Sequence, residues 1–87
     1  MYYIKYKQKA RKYLLKLEPK LHLKIAETIS NLSDFNLAIK ELDIKKLQWE
    51  ENLYRLRIGK YRVIFEKQDK KLIILVVDIG SRWDVYK

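Results

Sequence analysis

The feature that most constrains this chain is a pair of strand-like segments joined by only two residues, Gly59 and Lys60. The segments are Leu53–Ile58 and Tyr61–Lys67, both rich in the Ile, Val, Leu and Tyr side chains that favour strands. A glycine at the first central position of a two-residue loop predicts a type II′ turn, because that position requires a positive φ. The sequence therefore predicts a β-hairpin whose register is set by the turn.

This register sorts the side chains of the hairpin onto two faces. Counting back from the turn places Arg57 directly opposite Arg62, and the alternation of a strand places Arg55 on the same face. The opposite face is uniformly apolar or aromatic and consists of Tyr54, Leu56, Ile58, Tyr61, Val63 and Phe65. Because an apolar face is buried against a core, we expect the arginine face to be open to a ligand.

The rest of the sequence predicts two helices and two further strands. Tyr2–Tyr6 is expected to be a short first strand, and from Lys7 apolar residues recur at the spacing of a helix. Pro19 separates this helix from a second one, because the residue before a proline is forced out of the helical conformation. Residues 34–52 have no clear period and predict a connecting segment with at most one more helical turn. Lys71–Ile79 is expected to be the last strand.

The predicted fold class is therefore α+β: a short N-terminal strand, a two-helix hairpin, then a three-stranded antiparallel sheet. The chain of 87 residues has no linker-like segment, so we expect a single domain over residues 1–87. There is no cysteine and only one histidine, so we expect no metal site and no cofactor. Without a signal-like or membrane-length apolar segment, the expectation is a cytoplasmic protein with no membrane partner.

The basic residues are distributed unevenly. Lysines occur throughout the chain, whereas four of the five arginines lie between residues 55 and 82. The formal net charge of +9 predicts attraction to a polyanion such as nucleic acid, the ribosome or an acidic protein. Arginine binds phosphate or carboxylate through two parallel hydrogen bonds, so its concentration in one part of the chain indicates an anion site.

The opposed pair Arg57 and Arg62 sharpens this hypothesis. Like charges directly opposite each other on a sheet are destabilising unless an anion lies between them. In the alternative interpretation, the two side chains splay into water or pair with Glu66 and Asp78, and no ligand is bound. A further arginine, Arg82, is flanked by the aromatic residues Trp83 and Tyr86, an arrangement that suits an unstacked RNA base beside its phosphates.

Two segments of the chain resemble the RelE/ParE superfamily of toxins from type II toxin–antitoxin modules. They are residues 53–65 (LYRLRIGKYRVIF) and residues 77–86 (VDIGSRWDVY), and the predicted order of strands and helices extends the resemblance over nearly the whole chain. The resemblance implies a metal-independent endoribonuclease that cleaves mRNA in the ribosomal A site by attack of a ribose 2′-hydroxyl on the adjacent phosphate. It implies catalytic roles for Arg55, Arg57, Arg62, Arg82 and Tyr86, and RNA-binding roles for Lys46, Lys60 and Trp83.

The resemblance also implies partners: a cognate antitoxin that holds the toxin inactive in a hetero-oligomer, and the ribosome with its mRNA as the target. Some relatives have a lysine on the second strand, and many have a histidine or lysine where this chain has Ser81. Arginine stays protonated, so the proton acceptor is expected to be Tyr86, a carboxylate such as Glu66 or Asp78, or an rRNA group. The alternatives are a ParE-like toxin that inhibits DNA gyrase by binding, without nuclease activity, and an inactive or purely nucleic-acid-binding relative.

Overall fold

The computed structural model describes residues 1–48 and 50–81 of the chain, which form one sheet with helices on one side. The elements in chain order are β1 (Tyr3–Tyr6), α1 (Gln8–Lys16), α2 (Pro19–Ser30), a 3₁₀ turn (Asn31–Ser33), α3 (Phe35–Glu41), β2 (Asp43–Lys46), β3 (Leu53–Ile58), β4 (Tyr61–Gln68) and β5 (Ile73–Ser81). Within these described ranges, every helix is too short or too polar to cross a membrane.

The sheet has five strands in the order β1-β5-β4-β3-β2. β1 runs parallel to β5, and the other three pairings are antiparallel. The predicted α+β class is confirmed, but the prediction of a three-stranded antiparallel sheet and two helices is wrong. The N-terminal strand joins the same sheet, and residues 34–52, predicted as a connecting segment, contain both α3 and the edge strand β2.

The predicted hairpin is confirmed in its register. Ile58 pairs with Tyr61 and Arg57 pairs with Arg62, so Gly59 and Lys60 are the two loop residues. Gly59 has a φ of 58°, the positive value that the first central position of a type II′ turn requires. The alternation of faces along β3 and β4 therefore follows directly from this turn.

The core lies between the helices and the apolar face of the hairpin. Leu56, Val63 and Phe65 are fully buried there, as are Ile25 and Ile29 of α2. This burial on the helix side leaves the other face of β3 and β4, with the arginines, pointing away from the helices.

Aromatic rings connect α3 to this core. Tyr54 and Phe65 stack with their ring centroids 5.4 Å apart, and Phe35 packs edge-on against Tyr54 at 5.3 Å and Phe65 at 6.2 Å. The side chain of Asp34 caps α3 by accepting a hydrogen bond from the Leu37 amide. Because α3 is anchored in this way, the strand β2 that follows it is brought to the edge of the sheet beside β3.

A β-bulge in β5 determines which of its side chains reach the core. Ile64 pairs with Asp78 and Phe65 pairs with Val76, so Val77 has no partner on β4. Without the bulge, Asp78 would lie in phase with the buried residues Ile74 and Val76. The extra residue shifts the phase, so that Ile79 is buried instead and Asp78 lies opposite Ile64.

Candidate phosphate-binding site on the open sheet face

Two neighbouring rows of side chains, on the sheet face that points away from the helices, form a surface that we call the open face. One row, from β2 to β5, is formed by Asp43, Arg57, Arg62 and Gly80. The next row is formed by Lys45, Arg55, Ile64 and Asp78. Three of the arginines predicted from the sequence are thus brought onto one face of two neighbouring strands.

Arg55 is largely shielded from solvent and forms an ion pair. Only 13% of its side chain is exposed, and its Nη2 atom donates to Asp43 Oδ1 at 2.8 Å. Its Nε atom is buried and has no hydrogen-bond acceptor within the described residues. A buried donor without an acceptor costs about 1–3 kcal/mol, so an anion that reached this atom would be stabilised there.

Arg57 differs from Arg55 although only one residue separates them. Its side chain is exposed, and it makes no hydrogen bond or ion pair with residues 1–48 or 50–81. Arg62 lies directly opposite and is half-buried. Arg57 therefore presents its full set of donors to solvent beside a second guanidinium, which is an arrangement suited to a phosphate group.

Gly80 lies next to Arg62 on β5. Because glycine has no side chain, Gly80 adds no polar group to this row, and the residue is itself buried. Ile64 in the adjacent row is buried and forms an apolar floor between Arg55 and Asp78.

The carboxylate in contact with this cluster is Asp43, which the sequence did not single out as a site residue. The two carboxylates considered from the sequence have other partners, because Glu66 accepts from Gln68 Nε2 at 2.6 Å and Asp78 lies 3.5 Å from Lys9 Nζ. Within residues 1–48 and 50–81, Arg57 forms no ion pair with either of these carboxylates. Asp43 could have been predicted as a site residue only if the edge strand β2 had been predicted as well.

The lysines predicted to bind RNA lie elsewhere. Lys46 pairs with Tyr54, so alternation places it on the helix side of β2, and Lys45 is the lysine on the open face. Lys60 lies in the hairpin turn, with its Nζ atom 5.7 Å from the centroid of the Tyr61 ring. The remaining predicted site residues, Arg82, Trp83 and Tyr86, lie outside the described residues.

A second charged cluster lies on the helix side of the sheet. Lys67 Nζ is 2.7 Å from Asp69 Oδ1 and lies over the rings of Tyr2, at 5.5 Å, and Phe35, at 5.0 Å. The Tyr2 hydroxyl donates to the same Asp69 oxygen at 2.6 Å.

The titration behaviour of this cluster follows from these contacts. The hydrogen bond from Lys67, with a smaller contribution from Tyr2, lowers the pKa of Asp69. The bond to Asp69 raises the pKa of Lys67 and, together with partial burial, that of Tyr2. The cluster joins the N-terminus to the β4–β5 turn, and it does not touch the open face.

The open face is suited to stabilising charge rather than to moving protons. Guanidinium groups remain protonated, so they can hold a phosphate and the negative charge that develops on it during attack, but they cannot accept a proton. In residues 1–48 and 50–81, no group of three His, Asp or Glu side chains is placed to bind a metal ion. A phosphodiester is a ligand that matches three guanidinium groups on one sheet face, of which that of Arg57 is exposed.

Comparison with known proteins gives two matches at the level of sequence. A family model described as the ParE toxin of the type II toxin–antitoxin system parDE matches residues 4–86. A protein of Methanocaldococcus jannaschii that is assigned as toxin RelE1 is 34% identical over 76 residues, which are 87% of this chain and 84% of that protein.

Two of the solved structures with the same fold are toxin–antitoxin complexes. The archaeal RelE–RelB complex from Pyrococcus horikoshii contains a chain that matches with a TM-score of 0.80 and 26% identity, covering 97% of this chain and 98% of that one. The E. coli RelBE toxin–antitoxin complex contains a chain that matches with a TM-score of 0.76 over 93% of this chain and 96% of that one. The identity there is 18%, so this second similarity concerns the fold alone.

Proposed function

Because the chain belongs to the RelE/ParE superfamily of type II toxin–antitoxin toxins, we propose that it is the ribosome-dependent mRNA endoribonuclease of such a module. In this proposal it cleaves the message in the ribosomal A site, inhibits translation, and acts in the cytoplasm. A cognate antitoxin holds it inactive. The observation that carries the proposal is the register that sets Arg57 opposite Arg62, with Arg55 on the same open face.

The proposed reaction needs charge stabilisation above all. A ribose 2′-hydroxyl attacks the adjacent phosphorus, the bond to the 5′-oxygen of the next nucleotide breaks, and a 2′,3′-cyclic phosphate and a 5′-hydroxyl remain. The pentacovalent transition state carries additional negative charge on its oxygens, which Arg57 and Arg62 are positioned to bind from one side. Removing one such donor typically costs a factor of about 10²–10³ in rate.

The proposed reaction also requires two proton transfers. The attacking hydroxyl loses a proton, and the leaving 5′-oxygen gains one. We propose Arg82 as a further phosphate ligand and Tyr86 as a proton carrier, following the positions that the superfamily uses. An rRNA group is the other source of a proton acceptor in the A site.

The energetics of the open face support a ligand of this kind. Two guanidinium groups directly opposite each other are unfavourable by about 0.2–1 kcal/mol when no anion separates them. Arg57 has no partner within the described residues that would offset this cost. A phosphate bound between the two side chains would turn the repulsion into two charge-assisted contacts.

The proposed protein partner is a small antitoxin. The RelE chains of P. horikoshii and E. coli that share this fold were solved in complex with RelB. With a formal net charge of +9, this chain would attract an antitoxin with acidic segments that cover its basic surface. The resulting hetero-oligomer keeps the open face away from the ribosome.

One experiment separates this proposal from its main alternative. The matching family model is described by the name ParE, and a gyrase inhibitor would leave translation of an existing message intact. Purified protein is added to a cell-free translation reaction with a defined message, and message ends are mapped by primer extension. We expect new 5′ ends within ribosome-bound codons. Intact messages together with double-strand breaks in a gyrase–plasmid reaction would contradict the proposal and support the gyrase alternative.

A further inference from the structure

Asp43 and Arg55 form an ion pair on the open face, and the position of this pair is informative. Asp43 is the first residue of β2 and lies directly opposite Arg57 in the ladder. Its carboxylate nevertheless bonds diagonally to Arg55, with 2.8 Å between Oδ1 and Nη2. Of the two arginines on β3, the partly exposed carboxylate thus binds the less exposed one, and Arg57 has no ion pair within residues 1–48 and 50–81.

This contact divides the two β3 arginines by function. Arg55 has one donor engaged, its side chain is 13% exposed, and its charge is balanced by Asp43. Arg57 keeps all its donors for a ligand. Without Asp43, the guanidinium groups of Arg55 and Arg57 would lie on the same strand face without this carboxylate, and Arg55 would lose the contact that fixes its direction.

We propose that Asp43 is a positioning residue for the phosphate site: it orients Arg55 for catalysis, and its negative charge limits unproductive binding of RNA to the open face. This inference rests on the proposed ribonuclease function. Asp43 acts through Arg55 and is not placed on the reacting atoms.

The proposal predicts that Asp43→Asn changes RNA binding and RNA cleavage in opposite directions. Asparagine keeps the size of the side chain and removes its charge, so the open face becomes more positive. Binding of a short fluorescein-labelled RNA should become about threefold tighter at low salt, since one more phosphate can be neutralised there. The cleavage rate should fall about tenfold, because a guanidinium that is no longer fixed spends less time in the productive geometry.

Opposite changes distinguish positioning from a structural role. A damaged fold would weaken RNA binding and slow cleavage together. The matched control is Glu41→Gln, which removes one negative charge from an exposed residue two positions away that forms no ion pair with the described part of the chain. It should change binding less than Asp43→Asn does and leave cleavage unchanged. Asp43→Glu keeps the charge, so it should bind RNA like the wild type and recover part of the cleavage rate.

The measurements are fluorescence anisotropy for RNA binding and single-turnover cleavage of ribosome-bound message at saturating protein. A wild-type protein that does not cleave the message would overturn the proposed function itself. If the wild type cleaves the message and Asp43→Asn behaves like Glu41→Gln in both assays, the proposed role of Asp43 is wrong. Weaker RNA binding by Asp43→Asn would also overturn the proposed role of Asp43. If Asp43→Asn does not fold, an Asp43→Glu protein that behaves as the wild type in every assay would overturn that role.

Discussion

Replacing Arg57 by glutamine should stabilise the folded domain while it impairs RNA cleavage. Arg57 has two like-charged neighbours on the open face, Arg62 opposite and Arg55 along the same strand, and one carboxylate, Asp43, opposite on β2. Among these three neighbours, the two repulsions exceed the one attraction by one pair. Glutamine has a similar length and no charge, so the substitution removes this net repulsion with little change in packing of an exposed side chain.

The size of the effect follows from the geometry of the ladder. Charges on neighbouring strands lie about 7 Å apart, and in a water-like dielectric two unit charges at that distance repel by about 0.6 kcal/mol. The same free energy corresponds to a rise of about 3 °C in the melting temperature of a domain of this size. In about 1 M salt the Debye length is about 3 Å, so most of the gain should disappear.

Urea unfolding of the wild type and of Arg57→Gln in low and high salt measures this difference directly. The matched control is Arg11→Gln, which removes the same charge from an exposed position on α1. We expect Arg57→Gln to be more stable than both proteins at low salt and about equal to them at high salt. The reasoning is refuted if Arg57→Gln is no more stable than Arg11→Gln, or if its gain persists in high salt.

Two further predictions concern the framework of the site. Gly59→Ala should lower the free energy of unfolding by about 1–2 kcal/mol in urea, since a Cβ there meets no atom within 4 Å and the cost is that of a positive φ alone; a stabilised variant would mean that the turn does not require that φ. Asp69→Asn should be less stable than the wild type at pH 7, because the bonds from Lys67 and Tyr2 lower the pKa of Asp69 in the folded protein. That contribution is present above the unfolded pKa of about 4 and is lost as the pH falls through the lower folded pKa, so the urea midpoints of the two proteins should converge as the solution is acidified.

The hairpin and its faces were predictable from the sequence because the rules that govern them are local. A two-residue loop with glycine in the first position fixes the pairing of its neighbours, and the period of two then assigns every side chain of β3 and β4 to a face. The positions of Arg55, Arg57 and Arg62 followed from this counting alone. Their roles in a reaction did not, because residue geometry does not specify which anion they bind.

The rest of the sheet was not predictable from local pattern. β2 has four residues, Asp43–Lys46, of which only Ile44 is apolar, so it has no readable alternation. α3 has seven residues, Phe35–Glu41, which is too short for a helical period to emerge. The parallel pairing of β1 with β5 joins residues about seventy positions apart, and only the packing of the helices between them determines it.

The missed edge strand explains why Asp43 was missed as well. Its contact with Arg55 depends on the register of β2 against β3, and this register exists only because α3 ends at Glu41 and the chain turns directly into the sheet. The carboxylates that were considered, Glu66 and Asp78, lay on strands that the sequence did reveal. A charge on an unrecognised strand could not be placed on any face.

In the proposed mechanism, specific arginines on the open face, and not positive charge in general, carry out RNA cleavage. The most direct test of this mechanism is the single-turnover rate of cleavage of ribosome-bound message at saturating protein, for Arg57→Gln/Arg62→Gln against Lys12→Gln/Lys24→Gln. Both variants lose two positive charges, but the exposed lysines lie on α1 and α2, on the opposite side of the sheet. We expect the cleavage rate to fall by at least about 100-fold for the arginine variant and to change little for the lysine variant. Equal cleavage rates for the two variants would contradict the proposed mechanism.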